Sequence, residues 1–120
     1  MLQTRSYGSV EITSVDRPAL LAALSERARR LSSDHPEVEE VLLFGSFARG
    51  DYTPASDVDL LIIVTSTEVP FLKRADPYRD IFASLPFDVW PLVYTRTELD
   101  RMKAEGNSFI LTALADAIRL

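Results

Sequence analysis

Two aspartates lie two positions apart at the beginning of an apolar segment, and this spacing suits a shared metal ion. Asp57 and Asp59 open the run Asp-Val-Asp-Leu-Leu-Ile-Ile-Val. Because side chains alternate between the faces of a strand, both carboxylates point the same way if this segment is a strand. Neighbouring carboxylates repel each other, and a hard divalent cation such as Mg²⁺ relieves that repulsion. The pair therefore predicts a divalent-metal site.

A Gly-Ser pair and an arginine precede the two aspartates and suit a phosphate. Gly45 lets backbone approach a phosphate closely, and Ser46 at a helix start offers a hydroxyl and free N–H groups. The guanidinium of Arg49 matches phosphate geometry, and Ser56 completes the nucleotide-binding set that we predict. Each feature alone has an ordinary explanation, such as a turn, a loop end or a structural salt bridge. Their joint order and spacing favour one functional site.

The apolar pattern places these residues on a sheet. We predict strands at 38–44, 58–65 and 87–94, with a helix at 70–85 that Pro77 kinks or splits. A crossover helix implies that the second and third strands are parallel, so Asp88 would join Asp57 and Asp59 at one end of the sheet. Gly45 and Ser46 reach the same end if the first two strands are antiparallel. The pattern thus predicts one mixed sheet that gathers all five residues.

The remaining segments complete an α/β (α+β) domain with three to four strands and helices mainly on one face. We predict a short edge strand or loose arm at 6–13 and a helix from the Asp16 cap to about residue 32. A helix capped by Thr97 and a last helix capped by Asn107 or Ser108 follow. The apolar surplus of the last helix is interpreted as core in preference to an interface, and Trp90 as core in preference to a base-stacking platform. Pro91 predicts an edge strand.

Composition limits the class of protein. The chain has 120 residues, which suits a single domain over 1–120, and a formal net charge of −5. This acidity disfavours a nucleic-acid partner, because such binding depends on Lys and Arg. Cysteine is absent, which excludes disulfides and thiolate catalysis. The lack of a long apolar run or a secretory signal predicts a cytoplasmic protein without membrane contact.

The stretches 45–50 and 56–60 resemble the signature of the minimal nucleotidyltransferases of the DNA polymerase beta superfamily. That pattern is a Gly-Ser pair, a gap, an Asp-x-Asp and a later third Asp, and Asp88 matches the third position. The resemblance implies a polymerase-beta palm-like fold. It also implies metal ligation and catalysis by Asp57, Asp59 and Asp88, with two Mg²⁺ ions during turnover. Tyr52 departs from the family pattern, where a small residue is usual.

The resemblance further implies transfer of AMP from ATP to a hydroxyl, with release of pyrophosphate. Many short members are antitoxins that modify a tyrosine of a HEPN-domain toxin, as in a type VII-like pair, so such a toxin is the expected partner. Two alternatives stay open: transfer to a small molecule of the aminoglycoside type, and neutralisation of a partner by binding alone. The choice among nucleoside triphosphates, the number of transfers and homodimerisation also stay open.

Overall fold

The computed structural model describes the backbone of residues 1–120 and the side chains of all of them except Val10 and Ile12. The chain begins with an antiparallel hairpin of β1 (Leu2–Tyr7) and β2 (Val10–Val15), which forms a two-stranded sheet of its own. Gly8, with φ of 66°, lies in the turn that joins them. We predicted a single short strand or an arm here, because the weak alternation does not reveal the pairing of β1 with β2.

The main sheet contains four strands in the order β5-β4-β3-β6. Its strands are β3 (Val38–Phe44), β4 (Val58–Val64), β5 (Val89–Thr95) and β6 (Ile118–Arg119). β3 pairs antiparallel with β4, and β4 pairs parallel with β5. The mixed sheet and both strand directions are therefore confirmed. β5 lies at the edge, as its proline predicted.

Helices cover both faces of this sheet. On the first face, α1 (Arg17–Asp34) and the four-residue α2 (Ser46–Arg49) pack on the larger core. On the second face, α3 (Arg96–Ala104) and α4 (Ser108–Ala115) pack on Leu61 and Ile63. Helices therefore cover both faces, whereas we expected them mainly on one. β4 is apolar on both sides, so each face needs a cover.

The crossover from β4 to β5 is not a helix, contrary to our expectation for 70–85. It contains three 3₁₀ segments, Phe71–Lys73, Asp76–Tyr78 and Asp80–Phe82. Pro77 lacks a backbone N–H, which prevents a continuous helix. The predicted stripe nevertheless faces the larger core, where its buried members are Ala75, Tyr78, Phe82 and Leu85.

Alternation along the central strands decides what each face carries. Leu60 and Ile62 belong to the larger core, whereas Leu61 and Ile63 belong to the smaller one under α3 and α4. Asp59 therefore lies on the second face, at the beginning of β4. No helix in the described part of the chain has the length and apolar character that crossing a bilayer demands.

Candidate active site

A cleft of about 460 Å³ lies where β3 ends and β4 begins, under α4. Its polar wall comprises six of the residues that we predicted from the sequence: Gly45, Ser46, Arg49, Ser56, Asp57 and Asp59. The apolar wall includes Phe44, Phe109 and Ala113. The antiparallel pairing of β3 with β4 brings these walls together, because Phe44 is the register partner of Asp59.

Gly45 is packed directly against the carboxylate of Asp59. Its backbone has φ of 79° and ψ of −156°, a region that glycine alone occupies readily. A Cβ at this position would overlap Oδ2 of Asp59 and would lie 3.3 Å from its Cγ. The missing side chain therefore makes room for the carboxylate and leaves its oxygens facing the cleft.

The carboxylates of Asp57 and Asp59 form an electrostatically unfavourable pair. Partial burial raises the pKa of Asp59, the charge of Asp57 raises this pKa further, and the charge of Arg49 lowers it. Asp57 itself is exposed. The donor set consists of carboxylate oxygens, which suits Mg²⁺, and a divalent cation would remove the repulsion. The residues present therefore fit the metal that the sequence resemblance implies.

The third predicted ligand, Asp88, lies beside this pair but outside the cleft. β5 begins at Val89, two residues after the predicted start, and the backbone carbonyl of Asp88 accepts a 2.8 Å hydrogen bond from the N–H of Val58. Asp88 is thus adjacent to Asp57 at the same end of the sheet. Among the side chains that the structure describes, no group of three or more His, Cys, Asp or Glu has a metal-binding arrangement.

The short helix α2 is fixed by an arginine that sequence reasoning missed. The N–H groups of Ala48 and Arg49 donate to the carbonyl of Gly45 at 3.1 and 3.0 Å, which closes the first turn. Arg17, at the beginning of α1, donates from Nε to the carbonyl of Phe47 at 2.9 Å. It also donates from a terminal nitrogen to the carbonyl of Ala48 at 3.3 Å. The neighbouring Asp16 cap was visible in the sequence, but this long-range contact had no local signal.

The loop after α2 has its own internal hydrogen bonds. Nε of Arg49 lies 3.2 Å from Oδ2 of Asp51, and both side chains are largely exposed. Such a surface pair is weak, so Arg49 is free to reach an anion in the cleft. The hydroxyl of Ser56 accepts a 2.8 Å hydrogen bond from the N–H of Thr53, so it shapes the loop as well as lining the cleft.

Tyr52 is explained by packing. Its ring stacks on Phe47 with a centroid distance of 4.9 Å and an interplanar angle of 22°. Phe47 in turn meets Phe87 edge-on at 5.2 Å. Tyr52 packs against the larger core and is absent from the described lining of the cleft. The bulky phenol therefore anchors the loop without narrowing the site.

Two interpretations of apolar residues change. Trp90 is 54% exposed, so its interpretation as core is wrong. In α4, Ile110 is buried, but Phe109 is 45% exposed, lines the cleft and meets Phe44 edge-on at 5.9 Å. The apolar surplus of the last helix was the available signal for this wall. This surplus did not predict the wall, because sequence alone does not show that α4 lies over the end of β3.

Comparison with known proteins identifies the class. The family model described as nucleotidyltransferase domain matches residues 24–111, which include the whole cleft-lining loop, Asp57 and Asp59. The chain belongs to this family. The match is consistent with the sheet order and with the carboxylate pair at the beginning of the central strand.

Two curated relatives come from Methanocaldococcus jannaschii. "Putative protein adenylyltransferase MJ0141" is 43% identical over 65 residues, 51% of this chain and 64% of that protein. "Putative protein adenylyltransferase MJ0604" is 45% identical over 42 residues, 34% of this chain and 42% of that protein. This chain thus spans less than two thirds of the length of either relative.

Two solved structures share the fold. A structure described as a "putative nucleotidyltransferase" from Sulfolobus solfataricus has a TM-score of 0.61 and 27% identity, covering 86% of this chain and 80% of that one. A chain from the "toxin-antitoxin with AMP-PNP" has a TM-score of 0.51 and 17% identity, covering 88% and 72%. The α/β nucleotidyltransferase fold predicted from the sequence is confirmed.

Proposed function

We propose that this protein is a Mg²⁺-dependent protein adenylyltransferase that transfers AMP from ATP to a hydroxyl of a protein acceptor. The observation that carries the proposal is the carboxylate pair Asp57 and Asp59, which faces the cleft directly beside the Gly45-Ser46 turn. Family membership supports nucleotidyl transfer, and the names of both curated relatives support a protein acceptor.

Each residue of the site has a physical role in this reaction. The Gly45 backbone and the Ser46 hydroxyl contact the triphosphate, and the Arg49 guanidinium neutralises it. Ser56 lines the cleft and shapes its loop by accepting the hydrogen bond from the N–H of Thr53. Asp57, Asp59 and Asp88 are the residues that would hold Mg²⁺, which supplies charge neutralisation for the phosphates. Phe44 and Phe109 provide an apolar wall for the rest of the nucleotide.

The transfer is a single in-line displacement at the α-phosphorus. The acceptor oxygen forms a bond to this phosphorus, the bond to the bridging oxygen of the β-phosphate breaks, and pyrophosphate leaves. Asp88 lies beside Asp57 at the sheet end and takes the hydroxyl proton. Its exposed position leaves it accessible to an acceptor.

The acceptor that we propose is a tyrosine of a cognate HEPN-domain toxin, which would make this protein the antitoxin of the pair. The signature at residues 45–60 supports this choice, as does the fold shared with a chain from a toxin–antitoxin structure containing AMP-PNP. The net charge of −5 suits a protein partner with a basic surface.

Intact-mass analysis tests the proposal. The purified chain is mixed with Mg-ATP and the HEPN-domain toxin proposed as its partner, and an adduct of one or more AMP groups is expected on that toxin. The matched control is the double variant Asp57→Asn plus Asp59→Asn, which retains similar side-chain size but should yield no adduct. If AMP were transferred only to a small hydroxylated compound, the acceptor would be a small molecule and not a protein. Neutralisation of the toxin by the double variant, without any adduct, would show that binding alone is sufficient.

A further inference from the structure

Trp90 is a large apolar side chain exposed beside the carboxylates. It belongs to β5, and its register partner on β4 is Asp59. Residues paired across neighbouring strands share a face, so Trp90 lies on the same face as Asp59. Asp88 immediately precedes β5 at the same end of the sheet. With 54% of its surface exposed, the indole contributes little to the core.

Trp90 and the nucleotide-binding turn lie on opposite sides of the central strand. In the sheet order β5-β4-β3-β6, the Gly45-Ser46 turn follows β3, whereas Trp90 is on β5. The described residues that line the cleft include Gly45 and Ser46 but not Trp90. Asp59 on β4, and Asp57 just before this strand, therefore lie between the two regions.

The chemistry of the proposed reaction places the nucleotide and the acceptor on opposite sides of β4. In an in-line displacement, the attacking and leaving oxygens lie on opposite sides of the phosphorus. If the triphosphate extends along the turn after β3, pyrophosphate leaves on that side. The acceptor must then approach from the side of β5, over Asp88 and Trp90.

We propose that Trp90 is the acceptor-docking residue, on which the segment carrying the reactive tyrosine packs; this inference rests on the function proposed above. Exposed tryptophans offer a large rigid contact area and are frequent binding hot spots. The backbone under the indole is rigid, because buried Pro91 follows it within the paired strand. The net charge of −5 favours a basic sequence around the tyrosine.

Steady-state kinetics of AMP transfer to the HEPN-domain protein tests this role. Trp90→Ala should raise KM for that protein at least about tenfold and leave KM for ATP within twofold, and Trp90→Phe should recover most of the loss. Leu72→Ala, an 87% exposed apolar residue in the crossover beyond the far end of β4, is the matched control and should change neither constant. A raised KM for ATP would indicate base stacking and overturn the inference. Equal constants for Trp90→Ala and the wild-type protein would also overturn it.

A binding measurement separates this inference from the proposed function. Trp90 is the single tryptophan of the chain, so 5-fluorotryptophan labelling gives one ¹⁹F resonance. Unlabelled HEPN-domain protein, added to the complex with Mg-AMP-PNP, should shift that resonance beyond its position with Mg-AMP-PNP alone. A shift without any AMP transfer would refute the proposed function while retaining docking at Trp90. Transfer without a shift would refute docking at Trp90 alone, and a shift caused by a second copy of this chain would assign the surface to self-association.

Discussion

Gly45 and Asp59 are interlocked, because the space that a Cβ would fill at position 45 is occupied by the Asp59 carboxylate. The two residues belong to different sequence motifs, a phosphate turn and a metal pair. Their contact arises from the antiparallel register, in which Phe44 faces Asp59. The turn and the carboxylate are therefore parts of one packed unit.

Gly45→Ala should reduce AMP transfer by at least about 10²-fold, since displacing a reacting group by about 1 Å costs that much. It should also lower the free energy of unfolding by about 1–3 kcal/mol, because its φ of 79° and ψ of −156° strain any other residue. Gly50→Ala is the control. Gly50 also has a positive φ, 94°, but no described atom within 4 Å of its added Cβ. Gly50→Ala should lose stability and keep most of its transfer rate, and an equal loss of activity would contradict the contact.

Asp57→Asn should stabilise the metal-free protein and abolish AMP transfer. Burial and the Asp57 charge both raise the pKa of Asp59, so removing that charge relieves a repulsion in the folded state. We expect a Tm in EDTA about 2–5 °C above that of the wild-type protein. Mg²⁺ at a hundred times its Kd should stabilise the wild-type protein by about 2.7 kcal/mol and the variant far less. An equal response of both proteins to Mg²⁺ would argue against a metal at this pair.

Arg17→Ala should slow AMP transfer about tenfold without removing any residue from the cleft. The reason is loss of the two hydrogen bonds from Arg17 to the carbonyls of Phe47 and Ala48. Arg17→Lys should be intermediate, because lysine retains the charge but not the planar fork. Arg29→Ala, an exposed position on the same helix, is the control for lost charge. Identical kcat values for the two alanine variants would refute a positioning role for Arg17.

Tyr52→Ala should lower the free energy of unfolding by about 1–3 kcal/mol through loss of its stacking on Phe47. Tyr52→Phe should be nearly neutral, since the ring provides the contact. Urea unfolding measures both. If Tyr52→Ala instead raised KM for ATP with unchanged stability, the phenol would have to contact the nucleotide.

Stability should fall in acid as Glu98 becomes protonated. The 2.7 Å hydrogen bond that Arg74 donates to Glu98 lowers the pKa of that carboxyl. The N–H of Thr95 donates a further hydrogen bond, at 2.8 Å, which also lowers this pKa. A depressed pKa in the folded state stabilises the protein above the ordinary pKa of glutamate, and this contribution disappears as pH falls through the lower folded value. Glu98→Gln should show a flatter fall of Tm below about pH 4.3 than the wild-type protein. Parallel profiles would exclude Glu98 as the titrating group.

Local pattern was sufficient to predict the centre of the fold. The predicted 38–44 strand matches β3, and the 58–65 strand extends one residue beyond β4. The parallel pairing followed from the length of the crossover, and the antiparallel pairing followed from the requirement that the Gly-Ser turn meet the aspartates. The nearly continuous apolar runs of these strands, which are buried on both faces, explain this success, because such runs are typical of central strands.

Elements that depend on distant partners were not predictable in the same way. β6 is two residues long, and it is a strand because it pairs with Leu42 and Leu43 of β3. The 3₁₀ segments of the crossover have the apolar spacing of a helix, and proline overrides that pattern. In the site, six polar lining residues came from the motif. Arg17 and the α4 wall reach the site through tertiary packing alone.

The placement of β4 between β3 and β5 also bears on how such a protein can diversify. Under the proposed reaction, nucleotide recognition depends on the turn after β3, and acceptor recognition depends on the exposed face of β5. The crossover of residues 65–88 separates these segments in the chain. A lineage can therefore change acceptors by substitutions on β5 while its Gly45–Asp59 contact stays intact, so that the underlying chemistry is retained.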